Sequence, residues 1–346
     1  MPRVDVVVPC YQYGRYLRSC VESILSQAAG DVRVLIIDNA STDDSAEVAR
    51  QLAAEDARVE VVVHAENVGA TASFNEGIAW AEAEYFLQLD ADDLLAPGCL
   101  QRALEVMEKH PEIAFTYGYE ALLYPDGSMQ RPDAEGEAPD WQIVSGRQFV
   151  ESVCAFPRNL VGAPTVLRRT SAQKQAGYYR PELPYADDLE MWLRLAMFGS
   201  VASTKMVQGI RRVHALQMSS DYRNSMVRDF AEREAAIASF FANEGRTLPD
   251  GQRLLSQAKR QLGAHAYWSA VSHLCRGYAR ESWRLLKFSL SRRPSAAVLP
   301  PLGWLLRMDR PTARLGDVLR EAWLRAPVRK LSGTGPVWLV GVLCLG

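Results

Sequence analysis

The sequence predicts an α/β fold: a mainly parallel sheet flanked by helices over residues 1–220, followed by an α-helical region over 221–346. Three observations predict it. Across the first 120 residues, short β-branched runs alternate with stretches whose apolar residues recur at helical spacing, the pattern of βαβ units. Several of those runs finish in polar or acidic residues, as strands do at the ligand-binding edge of such a sheet. From about 224 onward the spacing is helical, punctuated by Gly and Pro near 245–251, 294–303 and 333–336.

Val4 to Val8 is the first β-branched run, and Tyr16 to Gln27 then sets Leu17, Val21, Ile24 and Leu25 on one helical face. Val32 to Ile37 is a second strand ended by Asp38-Asn39, and Ser45 to Ala54 a helix. Val59 to Val63, Ala72 to Ala83 and Tyr85 to Leu89 continue as strand, helix and strand, the last ended by Asp90. Leu100 to Lys109 is helical and Ile113 to Tyr117 a fifth strand. Residues 120–145 are rich in Pro, Gly and acid, which suits a loop or small hairpin serving as a lid. Helical period returns at Leu189 to Phe198, with strand-like runs at Val201 to Thr204 and Val207 to Val213. Ala264 to Leu290 has the pattern of a helical hairpin, without a second copy at a fixed period.

Composition bounds the function. With 346 residues, 48% hydrophobic and 23% charged, the chain can bury a full core and has room for two domains. Wholesale disorder and collagen-like structure are excluded. A net charge of −2 excludes nucleic-acid binding through bulk positive charge. The balance is uneven: residues 276–330 hold 13 Lys/Arg against 4 Asp/Glu, a net of +9, leaving −11 elsewhere. The basic part could touch anionic lipid or be a solvated helix face. The six cysteines form no CxxC pair and no zinc spacing, which suits reduced thiols in the cytoplasm. Val4 to Val8 runs straight into Pro9 and polar residues, unlike a signal peptide. The apolar stretch Pro336 to Gly346 is too short to span a bilayer, which needs about 20 residues.

Four constellations could carry chemistry. Asp90, Asp92 and Asp93 crowd three carboxylates directly after an apolar strand. Like charges this close are costly without a cation between them, and Mg²⁺ or Mn²⁺ prefers such oxygen ligands. Asp38 also follows a buried strand, where an acceptor suits a base imide or ribose hydroxyl; Ser41, Thr42 and Asp43 can cap the next helix without it. Asp187-Asp188 open a helix, either as caps or with one carboxylate projecting into the crevice as a general base. Arg212 and His214 share one face of a strand and could meet a diphosphate, the His as donor or metal ligand. The other four histidines read as structural. No GxxxxGK[ST] loop occurs, and no GxGxxG follows the first strand, which argues against a P-loop kinase and a dinucleotide dehydrogenase.

Together these residues resemble the family 2 glycosyltransferases of the GT-A fold. The likeness rests on Tyr11, Asp38 with Ser41 and Asp43, Asn67-Val68-Gly69, Asn75-Glu76-Gly77 and Asp90-Ala91-Asp92-Asp93. It extends to Asp187-Asp188-Leu189-Glu190-Met191-Trp192-Leu193, Arg212-Val213-His214 and Gln217-Met218-Ser219, covering roughly residues 3–220. It implies inverting transfer of a sugar from a nucleoside diphosphate donor, a UDP- or dTDP-sugar, to a glycan or lipid-linked acceptor. By position, the resemblance puts Pro9, Tyr11 and Asp38 at the nucleobase, with Asn67 also on the donor side. Asp90 faces the ribose or metal, Asp92 holds a divalent metal (Mn²⁺ or Mg²⁺), Asp188 or Asp187 is the base, and Arg212 and His214 approach the diphosphate or metal. Members commonly carry Asn where this chain has Gln12, and Glu-Asp where it has Asp187-Asp188; both changes keep the hydrogen-bonding type.

The chemistry asks for the same two groups: a cation to stabilise a departing diphosphate, and a carboxylate to take a proton from the acceptor hydroxyl. Two rivals stand beside this reading. A sugar nucleotidyltransferase would want a glycine-rich basic loop where Tyr11 to Tyr16 has a single Arg. A non-catalytic scaffold would bind nucleotide sugar or glycan without turnover. A membrane surface near the basic helices would fit a lipid-linked acceptor.

Overall fold

A computed structural model describes residues 3–28, 31–214, 226–305 and 307. Gln217-Met218-Ser219, Cys344, the stretch Pro336 to Gly346 and the 308–330 part of the basic segment lie outside them. The chain divides into two compact units. The first comprises the residues up to 153, 158–214 and 235–251; the second comprises 154–157, 226–234 and the residues from 252 onward.

The first unit opens with β1 (Val4–Cys10), α1 (Gly14–Leu25), β2 (Val32–Asp38), α2 (Ser45–Glu55), β3 (Val59–Val63), α3 (Ala70–Trp80) and β4 (Tyr85–Gln88). There follow β5 (Leu94–Leu95), α4 (Cys99–Lys109), β6 (Ile113–Leu123), β7 (Met129–Gln130), β8 (Gln142–Val144), α5 (Gly146–Ala155), β9 (Leu167–Arg169), α6 (Thr170–Ala176), α7 (Asp187–Leu195) and β10 (Ser200–Arg212). They build one sheet in the order β3-β2-β1-β4-β9-β6-β10-β5, with β7 on β6 and β8 on β10. The pairs β1/β2, β2/β3, β1/β4 and β6/β10 are parallel, while β9 runs antiparallel to β4 and β6. Val4, Val6 and Val8 of β1, Val34 and Ile36 of β2, and Leu17, Val21 and Ile24 of α1 are buried in one cluster. One charge sits among them. Asp5 is fully buried, and its carboxylate accepts two bonds from Arg33 (2.9 Å each) and the backbone N–H groups of Glu82 and Ala83.

Gly77 explains a motif glycine. A Cβ there would lie 2.4 Å from Val7 Cγ1, so α3 can pack this close to β1 only without a side chain.

The structure differs from the sequence expectation in three places. The two strand-like runs at 201–204 and 207–213 are one strand, β10, whose register slips between Ser203 and Val207. Such a bulge breaks the alternation that marks a strand. The fifth strand runs on to Leu123, so the polar segment expected over 120–145 begins inside the sheet and contains β7 and β8. β9 is three residues long and reads as polar, Leu167-Arg168-Arg169, although Arg168 is fully buried.

The second unit contains most of α8 (Met226–Ala242, which enters it with 226–234), α9 (Gly251–Cys275), α10 (Ala279–Arg292) and α11 (Leu302–Leu305). The helical hairpin expected within 264–290 is α9 and α10, reversed at Gly277 with φ +84°. Leu262 and Ala266 of α9 meet Leu285 and Phe288 of α10 and Phe230 in one core. None of the described helices is long and apolar enough to cross a membrane.

Candidate active site

The parallel strands deliver their carboxyl ends to one edge. Cys10 and Asp38 are in register there, and Pro9 pairs with Ile37. Just beyond, Gln12 and Ala40 adopt φ 61° and 58°, a left-handed region that Asn or Gly tolerates better than either. Gln12 N–H donates to Ser41 Oγ (2.9 Å), and Gly14 N–H to Asp43 Oδ2 (3.2 Å), so the two strand-end loops are tied together. Backbone strain held in this way is a feature of ligand sites. Asp38 is fully buried. Ser41 N–H donates to its Oδ2 (3.0 Å), while its Oδ1 has no hydrogen-bond partner among the described residues. A buried carboxylate oxygen without a donor is expensive unless a ligand supplies one. Tyr11, the residue after β1, is 43% exposed.

Asn39, which sequence reasoning passed over, organises the neighbouring loop. Its Oδ1 accepts Val68 N–H (2.9 Å) and lies 3.0 Å from His64 Nδ1; its Nδ2 donates to Asn67 Oδ1 (2.9 Å). Asn67 Oδ1 also accepts Gly69 N–H (2.9 Å), so this carbonyl shapes the turn. His64, expected to be structural, meets Glu76 with its other nitrogen at 2.7 Å.

Asp90, Asp92 and Asp93 follow β4 and bring ligand atoms within 4.8 Å of one another. His214, just past β10, sets Nε2 3.0 Å from Asp92 Oδ2, and its buried Nδ1 has no partner among the described residues. Tyr13 and Tyr16 pack on that imidazole at 5.6 and 5.1 Å. Asp93 accepts Arg212 N–H (3.0 Å), pinning the end of β10 to the acidic loop. Arg212 sends its guanidinium to Ser19 Oγ (2.7 Å) and over the Tyr16 ring. Burial, then the Asp92 and Asp188 charges, pushes Asp90 up to about 7; burial and its two neighbours also raise Asp93. Carboxylates so crowded, with one imidazole against them, fit a hard divalent cation that takes oxygen ligands and one nitrogen.

Asp187 and Asp188 begin α7, where the helix N-terminus favours negative charge. Leu189 N–H donates to Asp188 Oδ1 (2.6 Å), Asn159 Nδ2 to its Oδ2 (2.5 Å), and Asp188 N–H to Asp187 Oδ1 (2.9 Å). Burial outweighs these bonds. It holds Asp188 at about 6 and, helped by the Asp188 charge, Asp187 at about 7. Asp90 feels Asp188, and Asp187 feels Asp90, so the two acidic clusters lie within electrostatic reach of each other. Glu120 of β6 stands with them. It adds its charge to Asp90, Asp93 and Asp188 while holding Arg211 at 3.3 Å. It fits there because Gly162 has no side chain: a Cβ would lie 1.9 Å from Glu120 Oε1.

Arg168 is caged by Phe86, Trp192 of α7 and Tyr179 and bonded to Gln173 Oε1 (2.8 Å) and Tyr179 Oη (3.1 Å). Tyr179 in turn is held at both its N–H and C=O by Asn75 (2.7 and 3.0 Å), the first residue of the Asn75-Glu76-Gly77 motif. Of the expected residues, Pro9 and Asp38 end the paired strands β1 and β2, Arg212 and His214 bond to the Asp92-Asp93 loop, and Asp187 and Asp188 lie within electrostatic reach of Asp90. Asn39, Glu120 and Asn159 join them from positions without a local sequence signal.

Residues 5–159 match the model of Glycosyl transferase family 2. The chain is 32% identical to the chondroitin synthase of Pasteurella multocida over 129 residues, 37% of this chain but only 13% of that protein's length. In fold it is similar to the mannosyltransferase PcManGT from Pyrobaculum calidifontis, solved with GDP-Man and Mn²⁺ (TM-score 0.58, 17% identity, 95% of this chain and 88% of that one). It is also similar to S. aureus TarS 1-349 solved with UDP-GlcNAc (TM-score 0.53, 16% identity, 89% and 94%).

Proposed function

We propose that this chain is a member of the family 2 glycosyltransferases, whose model its residues 5–159 match, and that it is an inverting, metal-dependent enzyme. It transfers a sugar from a UDP- or dTDP-sugar to a hydroxyl of a glycan or lipid-linked saccharide. Residues 1–220 are the catalytic domain and 221–346 a helical C-terminal region in this reading. The observation that carries the reading is the group of Asp90, Asp92 and Asp93 with His214 Nε2 3.0 Å from Asp92, together with the unsatisfied buried oxygen of Asp38.

Each residue has work suited to its surroundings. Asp38 Oδ1 accepts the imide N–H of a uracil or thymine, against the wall made by Pro9 and Tyr11. Asp92, Asp90 and His214 would hold Mn²⁺ or Mg²⁺, which when bound stabilises negative charge on the leaving diphosphate. Arg212 is tied to the same loop by its backbone and supplies a fixed positive charge near that diphosphate. Asp188 takes the proton of the attacking hydroxyl, with its orientation fixed by Leu189 N–H and Asn159. An aspartate near 6 is ionised at neutral pH yet more basic than usual, which suits that task. A single displacement needs no enzyme nucleophile, and the product is inverted. The solved neighbours support a nucleoside diphosphate donor and a divalent ion, and the chondroitin synthase name supports a saccharide acceptor. The five described cysteines are free thiols, which supports a reducing compartment as the site of action.

The test is an assay of UDP-sugars and dTDP-sugars with Mn²⁺, reading nucleoside diphosphate against pyrophosphate release, and product anomeric configuration by NMR. Nucleoside diphosphate release with inversion is expected. Pyrophosphate release would favour the nucleotidyltransferase, and retention of configuration would remove Asp188 from its role.

A further inference from the structure

The second unit carries a feature that the transfer chemistry does not use. The outward face of α10 repeats Arg280, Trp283, Arg284 and Lys287 at one-turn spacing, while Leu285 and Phe288 face the core. Trp283 is 56% exposed, with the Lys287 ammonium 5.3 Å from its ring. After α10, the segment before α11 turns Val298 (91% exposed), Leu299 (67%) and Leu302 (55%) to the outside. This segment is not a frayed end. Trp304 is buried between Phe156 (4.5 Å, stacked) and His265 (4.9 Å), and Trp268 Nε1 donates to Pro301 O (3.0 Å). Ala296 is buried on its other side. The fold therefore clamps this loop from both ends and holds three aliphatic side chains outward.

We propose that α10 and the 298–302 loop form a docking surface for an anionic lipid bilayer. Aliphatic tips enter the interface, a tryptophan sits at headgroup depth, and Arg280, Arg284 and Lys287 meet lipid phosphates. Over residues 276–307 there are seven Lys/Arg and one acid, Glu281, which is itself paired with Arg284. An acidic bilayer complements both the charge and the apolar tips; a nucleic acid would leave Val298 and Leu299 without a partner. The proposal deepens the reading above by giving a lipid-linked acceptor a surface on which to be met, and it is tested without turnover.

The full chain is sedimented with phosphatidylcholine vesicles with and without phosphatidylglycerol, at low and high salt. Binding only to the phosphatidylglycerol vesicles, weakened by salt, is expected. The triple variant Arg280→Glu, Arg284→Glu, Lys287→Glu is expected to weaken it at least 100-fold, at about fivefold per charge. Val298→Ser with Leu299→Ser is expected to weaken it at both salts. An unchanged thermal shift with UDP and Mn²⁺ checks that the variants fold and that the donor site is intact. Wild-type protein that stays in the supernatant overturns the proposal, as do variants that pellet like the wild type or equal binding to pure phosphatidylcholine. None of these outcomes touches the transferase reading, which stands or falls on donor turnover in vesicle-free solution.

Discussion

Asp188→Asn should make the protein more stable and nearly inactive, and both effects come from the same burial. Enclosure raises the Asp188 carboxyl from 3.8 to about 6. At 1.36 kcal/mol per unit, that is about 3 kcal/mol if the group were wholly shielded. Its surface is partly open, so about half, about 1.5 kcal/mol, is a fair expectation. The sign follows from which form the fold disfavours. A carboxyl raised on folding is penalised as the anion. The penalty is absent below about 3.8 and complete above about 6, so stability falls as pH rises through that window. Asparagine carries no such penalty. At pH 8 the variant should melt a few degrees higher, and near pH 4 the difference should vanish. Turnover at pH 8 should drop about 10² to 10⁴-fold, the usual contribution of a general base. Thermal denaturation at the two pH values and donor turnover on the same preparation read both effects. A variant that is less stable at pH 8 and retains turnover would refute the reasoning about burial and base together.

Other outcomes follow from the same geometry. The acid limb of kcat/KM should fall between about 6 and 7, where Asp188 and Asp187 titrate, and not near 4; a pH–rate profile checks it. Asp38→Ala should weaken UDP binding by about 10- to 100-fold, the loss of a charged hydrogen bond, with little change in kcat; calorimetric titration of UDP reads it. Gly77→Ala should destabilise the protein by about 1 to 3 kcal/mol by driving a methyl into Val7, seen in denaturant melts.

Much of the site was legible because chemistry collects at strand ends. Asp38 and Asp90 close apolar runs, and the alternation of strand and helix marks which edge they share. Asp187-Asp188 were legible as a pair, either as caps or as a base; their electrostatic coupling to Asp90 is added by the structure, since no local pattern records which loops meet. Other residues were hidden for physical reasons. Arg168 sits in a three-residue strand that reads as polar, and its burial depends on an aromatic cage drawn from Phe86, Tyr179 and Trp192. Glu120 lies in a strand extension whose alternation is broken by Gly118 and Tyr119, and it reaches the acids only because Gly162 is bare. Asn39 was read as a strand terminator; its bonds to Asn67 and Val68 show that it builds the next loop. The Gly77 motif position became intelligible only when α3 was seen against Val7.

Anomalous diffraction from crystals soaked with Mn²⁺ and UDP bears most directly on the crevice. The ion should appear as one peak within about 2 to 2.3 Å of an Asp92 carboxylate oxygen, with the uracil on Asp38 and Asp188 open to the opposite side of the diphosphate. A peak elsewhere, or UDP bound with Asp92 left untouched, would contradict the assignment.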